Sequence, residues 1–224
     1  MNGVFVTGTD TGIGKTRAST MLLRAHRARG RRAVGMKPVA SGCRETAQGL
    51  RNDDADALID ASDPKPPYAL CNPFALPLPI APHLAARETG IEIALAPIET
   101  AYRRLVPTTD RIVVEGVGGW SVPLSETLMQ ADLVRALGIP VILVVGLRLG
   151  CLNHALLTAR AIALDGCALA GWIANRFDPS MAYADANLDT LRARIEAPLL
   201  GVIAHAAERA DDRGEALAPA AERL

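Results

Sequence analysis

A doubly wound α/β fold, one mostly parallel sheet with helices on both faces, is what this 224-residue sequence predicts, and three observations predict it. Short apolar, β-branched runs recur at residues 4–7, 33–36, 112–115, 141–145, 170–174 and 199–203. Several are continuously apolar rather than alternating, as strands covered on both faces require. Stretches of helical period lie between them, and the first run leads straight into a glycine-rich turn.

The run 4–7 opens onto Gly8-Thr9-Asp10-Thr11-Gly12-Ile13-Gly14-Lys15-Thr16. Such a turn between a strand and a helix points backbone N–H groups inward, and the helix N-terminus adds partial positive charge at the same spot. An anion is expected there. The strict phosphate-loop spacing G-x-x-x-x-G-K-[ST] would place glycine at Thr9, whereas it sits at Gly8, so this loop is one residue longer. Lys15 is placed to reach the outer phosphates of a nucleotide, and the Thr16 hydroxyl to hold Mg2+. Ala18, Met21, Leu22, Ala25 and Ala28 then mark one buried face of a helix that Gly30 stops.

The second run, 33–36, delivers Lys37-Pro38-Val39-Ala40-Ser41-Gly42 to the carboxyl edge of the sheet, where ligands of such folds gather. Lys15, Lys37 and Lys65 are the three lysines against twenty-one arginines. A chain that otherwise writes its positive charge as Arg keeps Lys where a compact ammonium meets a small anion. Asn52-Asp53-Asp54 offers an acidic group, or else the start of a helix through Ala57, Leu58 and Ile59. Seven prolines between Pro64 and Pro82 predict an irregular surface excursion over 63–82. The third run places Glu115 at the sheet edge beside the phosphate loop, ahead of Gly116-Val117-Gly118-Gly119-Trp120, as an oxygen ligand for Mg2+. Helices are expected over 128–137, 153–164 and 184–195. Asn175-Arg176 follows the fifth strand, and the Ala- and charge-rich stretch 206–224 reads as a loosely ordered tail.

Size and composition set the class. A chain of this length forms one domain, over 1–224, that buries about 70% of its unfolded surface without a staple. Formal charge is zero and no basic tract dominates, which argues against nucleic acid or an anionic membrane as partner and for a small molecule. Cys43, Cys71, Cys151 and Cys167 form no C-x-x-C pair, so neither zinc nor a disulfide framework is indicated. With no charged leader and no apolar run of membrane length, a cytoplasmic location is expected.

Taken together, these segments resemble the dethiobiotin synthetases, ATP-dependent carboligases on a P-loop NTPase-like scaffold. The longer phosphate loop matches theirs, as do Lys37-Pro38-Val39-Ala40-Ser41-Gly42 with K-P-V-x-S-G and Gly49-Leu50-Arg51-Asn52-Asp53-Asp54 with G-L-R-N-x-D. Glu115-Gly116-Val117-Gly118-Gly119-Trp120 matches E-G-A-G-G-W, and Leu149-Gly150-Cys151-Leu152-Asn153-His154 resembles L-G-C-I-N-H. The resemblance runs from Val4 to about Ile203.

The resemblance implies that CO2 adds to an amine of 7,8-diaminononanoate, that ATP phosphorylates the carbamate, and that the other amine closes the ureido ring to dethiobiotin, with ADP and phosphate released. It implies that Lys37 holds the carbamate, Lys15 the phosphates, and that Thr11 and Ser41 hydrogen-bond the reacting groups. Thr16, Asp54 and Glu115 would hold Mg2+. ATP would further meet Gly12, Ile13, Gly14, Arg17, Gly116, Val117, Gly118, Asn175, Arg176, Ala204, His205 and Ala206. Gly150, Cys151 and Asn153 would bind the substrate carboxylate across a homodimer with shared active sites, although capping of a helix by Asn153 explains that segment equally well. The chain departs from the family pattern at Ala81-Pro82-His83, at Ala204-His205 and at Asn187. Other readings are a second ATP-dependent C–N ligase on this scaffold, a partition-type ATPase, or a GTPase switch that reads guanine through Asn175-Arg176-Phe177-Asp178.

Overall fold

The computed structural model describes residues 2–205 and 214–224. Six parallel strands form the central sheet: β1 (Gly3–Gly8), β2 (Ala33–Met36), β7 (Arg111–Glu115), β8 (Val141–Gly146), β9 (Leu169–Asn175) and β10 (Leu199–Ile203), in the order β10-β9-β8-β1-β7-β2. These are the six expected strands. Because β1 lies between β7 and β8, with Val4 beside Val113 and Phe5 beside both Val114 and Val141, the turn that follows it emerges at the centre of the sheet's carboxyl edge.

Pleating sends alternate residues of β1 to opposite cores. Val4 and Val6 pack with α1 (Lys15–Arg27), α2 (Asp53–Ala61) and α9 (Ala218–Arg223), whereas Phe5 packs with the layer that contains α4 (Pro82–Thr89), α5 (Leu95–Leu105), α6 (Gln130–Leu137), α7 (Cys151–Leu164) and α8 (Ala184–Arg194). Helices therefore cover both faces, as a doubly wound sheet requires. Helices α4 and α5 were not among the expected elements; Pro82 and Gly90 bound α4 to eight residues, and α5 buries Ile98, Ala101, Tyr102 and Leu105 along one face.

Three expectations are corrected. The proline-dense stretch is irregular over most of its length, as expected, but it is not confined to the surface: it holds the one-turn helix α3 (Tyr68–Cys71) and the strand β6 (Phe74–Ala75), which pairs in parallel with β3 (Val39–Ala40). Cys71 and Leu76 in it are fully buried. Helix α7 starts at Cys151 with Gly150 at its cap, so Asn153 lies inside the first turn and is not the capping residue. The tail is not loose over 214–224, where a 3-10 turn (Glu215–Leu217) and α9 bury Leu217, Ala220 and Ala221 against α1; residues 206–213 lie outside the described part.

A basic tract does exist at 24–32, with five arginines, but the fold uses it internally. Arg27 donates to the Ala61 carbonyl, Arg31 to the Ala221 carbonyl, Arg29 pairs with Glu222 and Arg32 with Asp110. The hairpin of β4 (Arg44–Thr46) and β5 (Gly49–Arg51) links the Lys37 segment to α2.

Candidate active site

A cleft of about 910 Å³ opens at the carboxyl ends of β1, β2 and β7. Its floor is the glycine loop, which depends on backbone that only glycine adopts easily: Gly12 has φ 73° and Gly14 φ 93°. A Cβ on Gly14 would lie 2.3 Å from Asn175 Nδ2, so that position also needs the missing side chain for space. Lys15 is buried and folds back to donate to the Asp10 carbonyl at 2.8 Å. Burial and the neighbouring Lys37 lower its pKa to about 8.

Four charged groups meet beneath the loop. Lys37 Nζ, only 3% exposed, donates to Glu115 Oε1 at 2.7 Å, Asp54 Oδ2 at 2.9 Å and the Gly116 carbonyl at 3.1 Å. All three of its protons are thereby engaged. Burial alone would discharge it, but Glu115 and Asp54 outweigh that cost and its pKa is raised. Asp54 is likewise pushed up by burial, yet Lys37 and the Thr16 hydroxyl hold it below its ordinary value. Thr16 Oγ1 lies 2.7 Å from Asp54 Oδ1 and 3.0 Å from Glu115 Oε1.

This donor set suits a hard divalent cation. One hydroxyl and two carboxylates converge, all oxygen, and Glu115 Oε2 is buried without a hydrogen-bond partner. Lys15 and Lys37 cancel Asp54 and Glu115 in formal charge, so a polyphosphate entering the cleft needs further positive charge to accompany it. Asp54 is free to face this cluster because its neighbour does the capping: Asn52 Oδ1 accepts from the N–H groups of Asp54 and Ala55, at 3.1 and 3.3 Å. The two sequence readings of Asn52-Asp53-Asp54, acid and helix start, are both satisfied, by different residues.

The predicted residues divide by place. Thr11, Gly12, Gly14, Lys15, Thr16, Lys37, Ser41, Asp54, Val117 and Gly118 line the cleft, and Ser41 Oγ is a buried hydroxyl without a partner. Glu115 and Gly116 reach it through Lys37. Ile13 and Asn175 instead lie under the loop: Ile13 is buried against Gly146, and Asn175, 4% exposed, donates to the Ile13 carbonyl at 2.7 Å while its Oδ1 has no partner. Arg17 donates to the Ala204 carbonyl at 2.7 Å, and Arg176 pairs with Asp185. His205 is in the same strand-end region, and Ala206 is outside the described residues. Gly150, Cys151 and Asn153 do not line the cleft of this chain; the Cys151 side chain is in the core and its N–H donates to the Arg148 carbonyl at 3.0 Å.

Several residues of the site were missed. Arg148 Nη2 reaches Asp10 Oδ2 at 2.5 Å, tying the loop before α7 to the phosphate loop. Inspecting the residues just after every apolar run would have found it, since it follows the fourth. Gln130 is buried and accepts from Val117 N–H at 2.9 Å while donating to the Gly119 carbonyl at 2.6 Å, which braces the glycine run after Glu115. Pro79, Ile80, Ala81 and Pro82 line the cleft from the proline-dense segment, which the sequence marked only by the departure from the family pattern at Ala81-Pro82-His83.

Known proteins bear on this arrangement. An AAA domain family model matches residues 2–210. In fold the chain is similar to the MinD cell division protein of Aquifex aeolicus (TM-score 0.59, 14% identity, covering 100% of this chain and 97% of that one) and to a ParA family ATPase from Chlorobium tepidum TLS (TM-score 0.59, 11% identity, covering 100% and 99%). Similarity in sequence is far greater elsewhere. The ATP-dependent dethiobiotin synthetase BioD of Xanthomonas euvesicatoria pv. vesicatoria (strain 85-10) is 62% identical over 199 residues, 89% of each chain. That of Xylella fastidiosa (strain 9a5c) is 57% identical over 205 residues, 92% of this chain and 91% of its own. With the longer phosphate loop, the lysine segment after β2 and the buried acid after β7 all in one cleft, the chain belongs to the ATP-dependent dethiobiotin synthetase family.

Proposed function

We propose that the cleft phosphorylates a carbamate. As a member of its family the chain is an ATP-dependent ligase of biotin biosynthesis, which carboxylates 7,8-diaminononanoate with CO2 and closes the ring to dethiobiotin with release of ADP and phosphate. The observation that carries the residue assignment is the convergence of Lys15, Lys37, Thr16, Asp54 and Glu115 at one point of the sheet edge.

Binding comes first. The N–H groups of Gly12, Ile13 and Gly14 cradle the phosphates, and Lys15 leaves the Asp10 carbonyl to meet them. The orphaned Asn175 Oδ1 suits the exocyclic amine of adenine, with Arg176 and Ala204-His205 beside it and Arg17 fixing that strand end. Thr16, Asp54 and Glu115 would hold Mg2+, which when bound supplies charge to the transferring phosphoryl group.

The diamine meets Thr11 and the free hydroxyl of Ser41. Lys37 gives up its longest bond, to the Gly116 carbonyl at 3.1 Å, and turns that proton to the carbamate oxygen. Its charge favours both the neutral attacking amine and the anionic carbamate. No general acid–base pair is needed for the phosphoryl step, in which positioned cations and N–H donors stabilise the developing charge. The α7 N-terminus, Gly150 to Asn153, where only the Cys151 N–H is taken up by the Arg148 carbonyl, suits the substrate carboxylate of a second copy, in a homodimer with shared sites; Leu149 and Leu157 nearby are exposed apolar side chains. With a substrate this small, neither nucleic acid nor membrane is a partner, and the reaction belongs in the cytoplasm.

A GTPase switch is disfavoured because Arg176 pairs with Asp185 and Asp178 is engaged by the N–H and hydroxyl of Ser180. The test is ADP release in bicarbonate with and without diaminononanoate, with the product's mass checked. Lys37→Ala should abolish turnover while ATP still binds. Unchanged turnover in that variant removes Lys37 from the chemistry.

A further inference from the structure

Tyr68 and Asn72 lie outside the cleft and belong to none of the motifs that mark it, yet a continuous chain of hydrogen bonds runs through them between the two halves of the charged cluster. The Asn52 N–H donates to the Tyr68 hydroxyl oxygen at 2.8 Å, and the Tyr68 O–H donates to Asn72 Oδ1 at 2.9 Å. Asn72 Nδ2 then donates to the Lys37 carbonyl at 2.7 Å and to the Phe74 carbonyl at 3.2 Å. Asn72 is 3% exposed. Backbone bonds lock the far end of the chain, since Lys37 N–H donates to the Cys71 carbonyl at 2.7 Å and Asn72 N–H to the Tyr68 carbonyl at 2.7 Å. Arg51, stacked 3.9 Å over the Tyr68 ring, fixes the ring plane.

We infer that Tyr68 and Asn72 are positioning residues, a strut that sets the separation between the Lys37 backbone and the Asn52 cap from which Asp54 projects. The geometry requires a group that accepts at one end and donates at the other, which a phenol does, and an amide that accepts from that phenol while donating to a carbonyl. Neither residue can be replaced by an isostere without reversing or deleting a bond in a chain that is half-buried at Tyr68 and buried at its Asn72–Lys37 end. An error of an ångström in the Lys37–Asp54 relation changes how the ammonium meets the reacting group, so the consequence falls on the chemical step more than on binding.

The inference rests on Lys37 acting on the carbamate, and the experiment separates the two claims. Tyr68→Phe keeps the ring and its contact with Arg51 and removes only the hydroxyl; Asn72→Ala removes the amide. Steady-state kinetics with ATP and diaminononanoate should show kcat reduced about tenfold in Tyr68→Phe and more in Asn72→Ala, with both KM values within about twofold of wild type. The melting temperature is measured alongside, and a kcat loss in Tyr68→Phe with melting unchanged supports the strut. If kcat holds in Tyr68→Phe, or if KM rises while kcat stays, the strut is refuted even where Lys37→Ala is inactive. An active Lys37→Ala would overturn the parent reading instead.

Discussion

The phosphate loop and the proline-dense segment line the same cleft, yet they are built in opposite ways. The loop is a local object. Its strand precedes it, its helix follows it, and its glycines supply the positive φ angles within a few residues of one another. The segment from Pro64 to Pro82 has almost no regular structure of its own and is held by bonds to chain far away in sequence. Phe74 N–H donates to the Pro38 carbonyl, Leu76 N–H to that of Ala40, Cys43 N–H to that of Leu76, and Gly42 N–H to that of Leu78. In effect it is the second strand for the Lys37–Cys43 segment, which otherwise has no partner in the central sheet. A motif can be written in sequence when its geometry is local; a wall made by pairing with a distant segment leaves no period to read.

Substitutions on each side test that contrast. The largest effect is expected at Gly14→Ala, where positive φ and the 2.3 Å approach to Asn175 Nδ2 combine; kcat/KM for ATP, followed by ADP release, should fall about a hundredfold. A wild-type value would mean that the loop does not need that backbone. Next is Leu76→Ala, which opens a cavity in the fully buried part of the proline-dense segment. It should cost about 3 kcal/mol and lower the melting temperature by roughly 6 to 12 °C. Were the segment a surface excursion, melting would not move.

Gly42→Ala probes the seam between the two. Gly42 has φ 72°, and a Cβ there would sit 3.2 Å from Pro79 Cβ. It should raise KM for diaminononanoate about tenfold and leave KM for ATP within about twofold, because the strain falls beside Ser41 and not on the loop. An equal rise in both constants would place the seam on the nucleotide side.

The smallest effect concerns the far end of the loop's helix. His26 in α1 is 1% exposed, and because arginine only donates, its Nδ1 must accept from Arg31 Nη1 at 3.3 Å, which keeps the ring neutral. Burial first, then Arg31, Arg111 and Arg29, lower its pKa to about 4. The unfolded chain takes up the proton near the ordinary value of about 6.5, so this stability is complete above that pH and is lost as pH falls toward 4. Denaturant titrations of wild type and His26→Gln between pH 7 and pH 4 should converge as the pH drops. Parallel curves would show that His26 titrates normally.

Most of the fold and about half of the cleft were legible beforehand. The six strands were visible because central parallel strands are continuously apolar, and Lys15, Lys37 and Glu115 were visible because each lies at or just beyond a strand's carboxyl end. Asn52 and Asp54 show the limit of such reading: the run Asn52-Asp53-Asp54 gave two roles, and only the cap hydrogen bonds assign the cap to Asn52 and the acid to Asp54. Helix α4 has only two turns, too few for a period to emerge, whereas Ile98, Ala101, Tyr102 and Leu105 of α5 follow the helical period and were overlooked. Arg148 was passed over although it stood where a charged residue matters, after the fourth strand.

The sequence by itself determined the sheet, the anion site and the set of cations and acids that surround it, because strand burial and phosphate-loop backbone are dictated by residues adjacent in the chain. Tertiary structure alone decided that Lys37 is clamped by Asp54 and Glu115, that Asn175 braces the loop from below, and that a proline-dense stretch forms a wall of the cleft. Each of those depends on groups 17 or more residues apart meeting within hydrogen-bond or packing distance. Such encounters are set by how the elements pack, and no local pattern encodes them.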